Sequence, residues 1–240
     1  MTLQDAFKFN QYTFPNLHDN HLKHVNLQNG KLWALTERQQ IVAKADLNNL
    51  DGTQPPAIDE NIIKRKNIKK MFVDREGVHC IMLAEHELYY NNWHDNQLIQ
   101  FDKLCQEKNS TQLGSRARAF RSVDIFHEAG DHEFFEILLG THDGSIYHAA
   151  FEYSSQRLRE GKQPFEVVEE FTCVLEVPDS KAILDIKMAN INFDSYVVLA
   201  VTESSLYQFS GENVFKNLLL EYKGNSTRIS KHQLTLEASI

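Results

Sequence analysis

Short apolar strings that close on an aromatic, each set apart by turn residues, recur along this chain and restrict the folds open to it. LLGTHDGSIY (residues 138–147) aligns with VLAVTESSLY (residues 198–207): aliphatic residues, a small residue, a polar-leaning stretch, then an aliphatic and Tyr. MLAEHELYY (residues 82–90) is a shorter version and LWALTERQQIV (residues 32–42) a looser one. The closing aromatic stands at Tyr89, Tyr147 and Tyr207, intervals of roughly sixty residues. A repeat of this size holding three or four antiparallel strands is the pattern of a β-propeller blade, whose apolar face is covered by stacking on its neighbours.

Period-two segments fill the repeats. They cover residues 22–27, 31–36 and 40–45, then 68–73, 78–83 and 88–93. A third set covers 122–127, 133–139 and 145–153, and a last one 171–177, 183–188, 196–201 and 205–209. Asn29-Gly30, Asp74 to Gly77 and Asp143-Gly144 are the turn signals. The fold expected is all-β: a partial β-propeller of about four blades over residues 1–240. Its blade-like units span approximately 20–47, 66–95, 120–153 and 170–211. A β-sandwich with similar hairpins is the alternative. The Trp-Asp dipeptide is absent, so this is not the usual WD40 array. Four units are few for a closed ring, which implies a fragment or a propeller completed by partner strands. Polar breaks at 48–61, 106–115 and 154–164 read as surface loops between units. After Glu212, the spacing of Phe215, Leu218, Leu219 and Tyr222 predicts a short amphipathic helix near the C-terminus.

Composition narrows the function. The formal net charge of −8 argues against a general nucleic-acid binder, whose footprint is basic. Cys80, Cys105 and Cys173 lie far apart and form no CxxC, which suits a reducing compartment. The longest strongly apolar run, residues 196–201, is far too short to span a bilayer, and MTLQDAFKFN is no signal core. A soluble intracellular chain is the expectation.

No constellation of catalytic residues stands out. His18, His21 and His24 are spaced by three, which on a strand sends neighbours to opposite faces, so solvated histidines are expected rather than a metal set. His142 and Asp143 fall in a hairpin tip. His127 and Glu128 lack a nucleophile in an elbow, and no phosphate-cradling glycine loop is present. No catalytic, cofactor-binding or metal residue is therefore assigned. Two basic clusters stand against the acidic whole: Lys64, Arg65, Lys66, Lys69 and Lys70, and Arg116, Arg118 and Arg121. They fit anionic lipid headgroups or, more simply, a solvated strand face. Glu166, Glu169 and Glu170 read as solvated surface. Asn109 and Asn225 match the N-glycosylation pattern, but without a signal segment they would not meet the machinery.

IKKMFVDREGVHCIMLAEHELYYNNW (residues 68–93) resembles the early-blade signature of the Deep orange family, vacuolar protein sorting-associated protein 18. The residues that carry it are Phe72, Val73, Asp74, Gly77, His79, Leu83, Ala84, Tyr89 and Tyr90. In order after it, Ser122-Val123, ILLGTHDGSIYHAAFE (residues 137–152) and VVLAVTESSLYQFSG (residues 197–211), followed by Phe215, resemble later blades of that family. The resemblance covers roughly residues 68–222; the first sixty residues share only β character.

That resemblance implies the N-terminal β-propeller of a class C core subunit of the HOPS and CORVET tethering complexes. In the family an α-solenoid and a zinc-binding RING follow; this chain shows neither helical repeats nor a Cys/His ladder, so zinc and ligase activity are not carried over. The expectation is a non-enzymatic scaffold with no cofactor. Its partners would be other class C subunits, with SNARE or Rab machinery reached through the complex, in vesicle docking and fusion. Its place would be cytoplasmic, peripheral on the cytosolic face of late endosome and lysosome/vacuole membranes. A generic propeller adaptor is one alternative. Another is a propeller enzyme, which would need groups such as His79, His127 and Glu133 to converge at a central channel.

Overall fold

The structure, a computed structural model, describes residues 22–37, 42–49, 58, 67–84, 87–100, 120–126, 133–162, 164–192, 195–212 and 229–233. Among them the chain forms four antiparallel sheets, each a meander in chain order. The first holds β1 (Leu22–Gln28), β2 (Lys31–Thr36) and β3 (Val42–Asp46). The second holds β4 (Lys70–Val73), β5 (His79–Leu83), β6 (Leu88–Asn92) and β7 (Ile99–Gln100). The third holds β8 (Phe120–Phe126), β9 (Phe134–Thr141), β10 (Ser145–Tyr153) and β11 (Phe165–Glu176). The fourth holds β12 (Asp185–Asn192), β13 (Ser195–Val201), β14 (Ser205–Glu212) and β15 (Ile229–Gln233).

Turn chemistry sets the registers. Asn29 and Gly30 both have positive φ, 48° and 74°, as a type I′ hairpin requires, and Gln28 pairs with Lys31 across it. In the second sheet the Asp74 carboxylate accepts from the backbone N–H groups of Val78 and His79, and Gly77 takes the left-handed conformation that closes the turn. Thr141 and Thr202, both buried, end β9 and follow β13; each hydroxyl donates to the carbonyl of the serine that opens the next strand, Ser145 or Ser205.

Alternation along the strands then divides each middle sheet between two cores. Cys80 and Met82 of β5 join Trp33 and Leu35 of the first sheet, while Ile81 and Leu83 face the third. Phe135, Ile137 and Leu139 of β9 face the second sheet, and Leu138 faces the fourth. The repeated tyrosines explain themselves here. Tyr89, Tyr147 and Tyr207 each enter the core shared with the preceding sheet. Burying one such large side chain contributes about 1.5–3 kcal/mol, so each interface is held by several.

The first strands of the sheets meet side by side, β1 against β4, β4 against β8, and β8 against β12. The sheets thus fan out from a common axis, the arrangement of propeller blades and not the two facing layers of a sandwich. Four blades and no closed ring are seen among the described residues.

Two assignments from sequence change. The segment containing residues 171–177 is part of β11, the outer strand of the third sheet, paired with β10 and not with the fourth unit. Accordingly, the polar stretch at 154–164 connects strands inside one sheet and carries the short helix α1 (Ser155–Arg159). Sequence proximity to β12 had favoured the wrong neighbour. The helix expected after Glu212 lies outside the described residues, apart from Glu212 itself at the end of β14.

Candidate functional site

Four inner strands bring together residues far apart in sequence. Lys23 Nζ on β1 donates to the Ile68 carbonyl at 3.0 Å, and Asn26 Nδ2 to that of Met71 at 3.2 Å. Lys70 Nζ on β4 donates to the Arg121 carbonyl at 3.0 Å. Between β8 and β12 the Asp124 carboxylate accepts from Lys187 Nζ at 2.9 Å and from the Met188 N–H at 2.6 Å. Burial raises the Asp124 pKa, and Lys187 works against that rise. From the turn after β4, Arg75 Nη2 reaches the Met188 carbonyl at 3.1 Å, bracing the second sheet to the fourth. These side chains fix neighbouring blades to one another at the axis.

His24 sits half-buried in this row, not fully solvated. Burial lowers its pKa, with Lys23 and Lys70 adding to the effect and a hydrogen bond to the Lys69 backbone opposing it. Arg121 on β8 and Lys69, just before β4, are exposed beside this row. The two basic sequence clusters therefore contribute to one place, where β1 supplies two further groups. Lys64, Arg65, Lys66, Arg116 and Arg118 lie outside the described residues, as do His18, His21, Asn109 and Asn225.

A second polar feature joins the first two blades. The Lys44 side chain of β3 is buried, and its Nζ donates to Asn91 Oδ1, the Asn92 carbonyl and the Trp93 carbonyl, each at 3.2 Å, and to the Asp95 carbonyl at 2.5 Å. The ammonium also lies 5.2 Å from the Trp33 ring centre, within cation–π range. Trp33 Nε1 in turn donates to the Gly77 carbonyl at 3.0 Å. Burial pulls the Lys44 pKa down to about 8, against the attraction of Cys80 and Asp95. The neighbouring Cys80 thiol is pushed up by burial, which leaves it an unreactive core residue.

The histidine most visible in the family-like segment is structural. His79 is fully buried, its Nδ1 lies 2.7 Å from the Tyr90 hydroxyl, and its ring centre is 4.5 Å from that of Phe135. Asn92 Nδ2 also donates to the Tyr90 hydroxyl at 3.2 Å, and burial holds that phenol well above its usual pKa. Glu133 is exposed, its carbonyl accepting from the Tyr153 N–H, and His127 and Glu128 lie outside the described residues. His142 and Asp143 occupy the exposed hairpin tip, as the turn signal implied. Glu166 is exposed and pairs with Arg157 at 2.5 Å. Among the described residues no group of three or more His, Cys, Asp and Glu is placed to hold a metal ion. No helix among them is long and apolar enough to cross a membrane.

The polar side chains of these strands join neighbouring sheets to one another. The profile of the Pep3/Vps18/deep orange β-propeller domain matches residues 6–239. The chain belongs to that family. It is 28% identical over 163 residues to the vacuolar sorting protein 18 of Arabidopsis thaliana, covering 66% of this chain and 15% of that protein. The chain thus corresponds to a small part of that relative's length. Among solved structures, the complex of the fission yeast SREBP–SCAP binding domains has a TM-score of 0.57 at 13% identity, covering 99% of this chain and 55% of that one. The WD40 domain of SCAP from fission yeast has 0.53 at 12%, covering 91% and 42%. At such identities the likeness speaks for the fold alone, and it agrees with the blade arrangement. The expected family and the all-β partial propeller both stand.

Proposed function

We propose that this chain is a non-enzymatic scaffold module of a class C vacuolar sorting complex of the HOPS/CORVET kind, acting in vesicle docking and fusion. The family match across residues 6–239 carries the reading. The blade packing supports it, since the buried polar groups described above are engaged in joining strands and sheets. Residues 1–240 then act as an N-terminal propeller region whose loops and blade edges receive other class C subunits. SNARE or Rab machinery is reached through the assembled complex. The location is the cytosolic face of late endosome and lysosome/vacuole membranes, held peripherally through the complex. Affinity capture with purified class C subunits tests this. A folded chain that retains at least one of them supports the assignment, and a folded chain that retains none overturns it.

A further inference from the structure

We propose that the end of the axis at which the inner strands begin is a docking site for an acidic peptide segment of a protein partner. Each sheet is a meander that starts with its inner strand, so β1, β4, β8 and β12 all begin at one end. The cross-strand bonds agree, with Lys23 beside Ile68, Lys70 beside Arg121 and Asp124 beside Met188. Lys23, His24, Lys69, Lys70 and Arg121 therefore gather at that end, drawn from three blades. Lys23 and Lys70 are held there by neighbouring backbone carbonyls, and among the described residues no carboxylate pairs with Lys23, Lys69, Lys70 or Arg121. Asp185, which opens β12, is the one exposed acid on the described inner strands at this end, so beside the axis the cations of the first three blades outnumber it and, in a chain of net charge −8, are left for an outside anion.

The surroundings select the kind of anion. The connection between the second and third strands of a sheet lies at the same end, and three of these carry exposed acids: Glu37, Asp143 and Glu203. A flat anionic bilayer would meet those carboxylates together with the lysines. A single extended chain can pass between them to the axis, where its Glu and Asp side chains meet the cations. The inference does not depend on which complex the chain serves.

The test uses the whole chain and a fluorescein-labelled twelve-residue peptide of alternating Glu and Ser, read by anisotropy. The variant Lys69→Glu/Arg121→Glu reverses two exposed groups whose side chains make no hydrogen bond among the described residues. Arg159→Glu/Lys162→Glu makes the same change in net charge at the opposite end. Expected are binding that weakens as salt rises, about tenfold loss in the first pair and little loss in the second. Lys69→Gln/Arg121→Gln gives an intermediate loss, and thermal melting checks that each variant is folded. Equal loss in both pairs overturns the proposal, as does absence of peptide binding. So does co-sedimentation with phosphatidylserine vesicles that needs Lys69 and Arg121 and exceeds binding to the peptide.

Discussion

The third sheet and the first solve the same packing problem to different degrees. In the third, β9 sends Phe135, Ile137 and Leu139 one way and Leu138 the other, and every one of these side chains is buried. In the first, Trp33 and Leu35 are buried against the second sheet, while on the outward side of β1 Val25 and Leu27 remain 51% and 53% exposed. Farther from the axis on that side the small residues Ala34 and Ala45 are buried, so the cover is uneven within one sheet. The fourth sheet is intermediate: Val198, Ala200, Tyr207 and Phe209 are buried against the third, and Leu199, Val201 and Leu206 are half-buried. Both kinds of sheet are written with apolar residues on both faces. A middle blade therefore takes its stability from two interfaces and an end blade chiefly from one.

The largest contrast is expected at Phe135. Its ring stacks on Tyr90 and Phe151 at 5.7 Å each and packs on His79, so truncation opens a cavity between the second and third sheets. Phe135→Ala should cost about 3–5 kcal/mol in urea unfolding. A loss below about 1 kcal/mol would mean that these sheets are not coupled as described.

Lys44 should come next. Lys44→Met removes the ammonium from four oxygen acceptors and leaves them buried, a loss of about 1–3 kcal/mol near neutral pH. The proton linkage runs the opposite way to that of a lysine in an ion pair. With the folded pKa lowered to about 8 and the unfolded one near 10.5, the unfolded chain binds more protons across that interval. Raising the pH from 8 toward 10.5 therefore adds stability from this group, at most about 1.4 kcal/mol per pH unit. Subtracting the Lys44→Met stability curve from that of the parent chain isolates the slope; a difference that falls with pH would contradict the buried, depressed lysine.

A smaller effect is expected where Gly140 of the third sheet meets Ile183, in the segment that leads into the fourth. A Cβ on Gly140 would stand 2.4 Å from Ser122 Oγ and 2.6 Å from Ile183 Cγ2. The serine cannot move freely, because its hydroxyl donates to the Ile183 carbonyl at 3.1 Å. Gly140→Ala should cost about 1–2 kcal/mol through overpacking, measured by the thermal midpoint. An unchanged midpoint would show that this interface has slack.

Local chemistry was the legible part of this fold. Asn29-Gly30 announced a hairpin, and the tyrosines at 89, 147 and 207 marked the repeat. The strand β11 was harder to place, because an intervening helix of only five residues shows no period and β12 is nearer in sequence. The two-residue strand β7 and the strand β15 had no such pattern and were missed. At the axis, Lys69, Lys70 and Arg121 were visible as basic clusters, yet nothing in their spacing announced Lys23 or His24 as companions. That grouping arises from lateral docking of strands some 45 residues apart. Lys44 gave no signal either: a lysine between two alanines in a short strand looks solvent-facing, and the carbonyls that hold it come from a turn near residue 93.

The smallest effect is expected on the outward side of β1, and it sharpens the contrast with Phe135. Val25 and Leu27 already meet solvent over about half of their surface, so little apolar area is left to lose. Val25→Ser and Leu27→Ser should each change the unfolding free energy by no more than about 0.5 kcal/mol in the isolated chain, with part of that change arising from the lower β-propensity of Ser. The same substitutions provide a measure of what covers this face when partners are present. If capture of a class C subunit weakens while the stability of the isolated chain holds, the outward side of β1 belongs to that interface. If the isolated chain itself loses more than about 1 kcal/mol, β1 is covered on both sides and the distinction drawn between the first and third sheets fails.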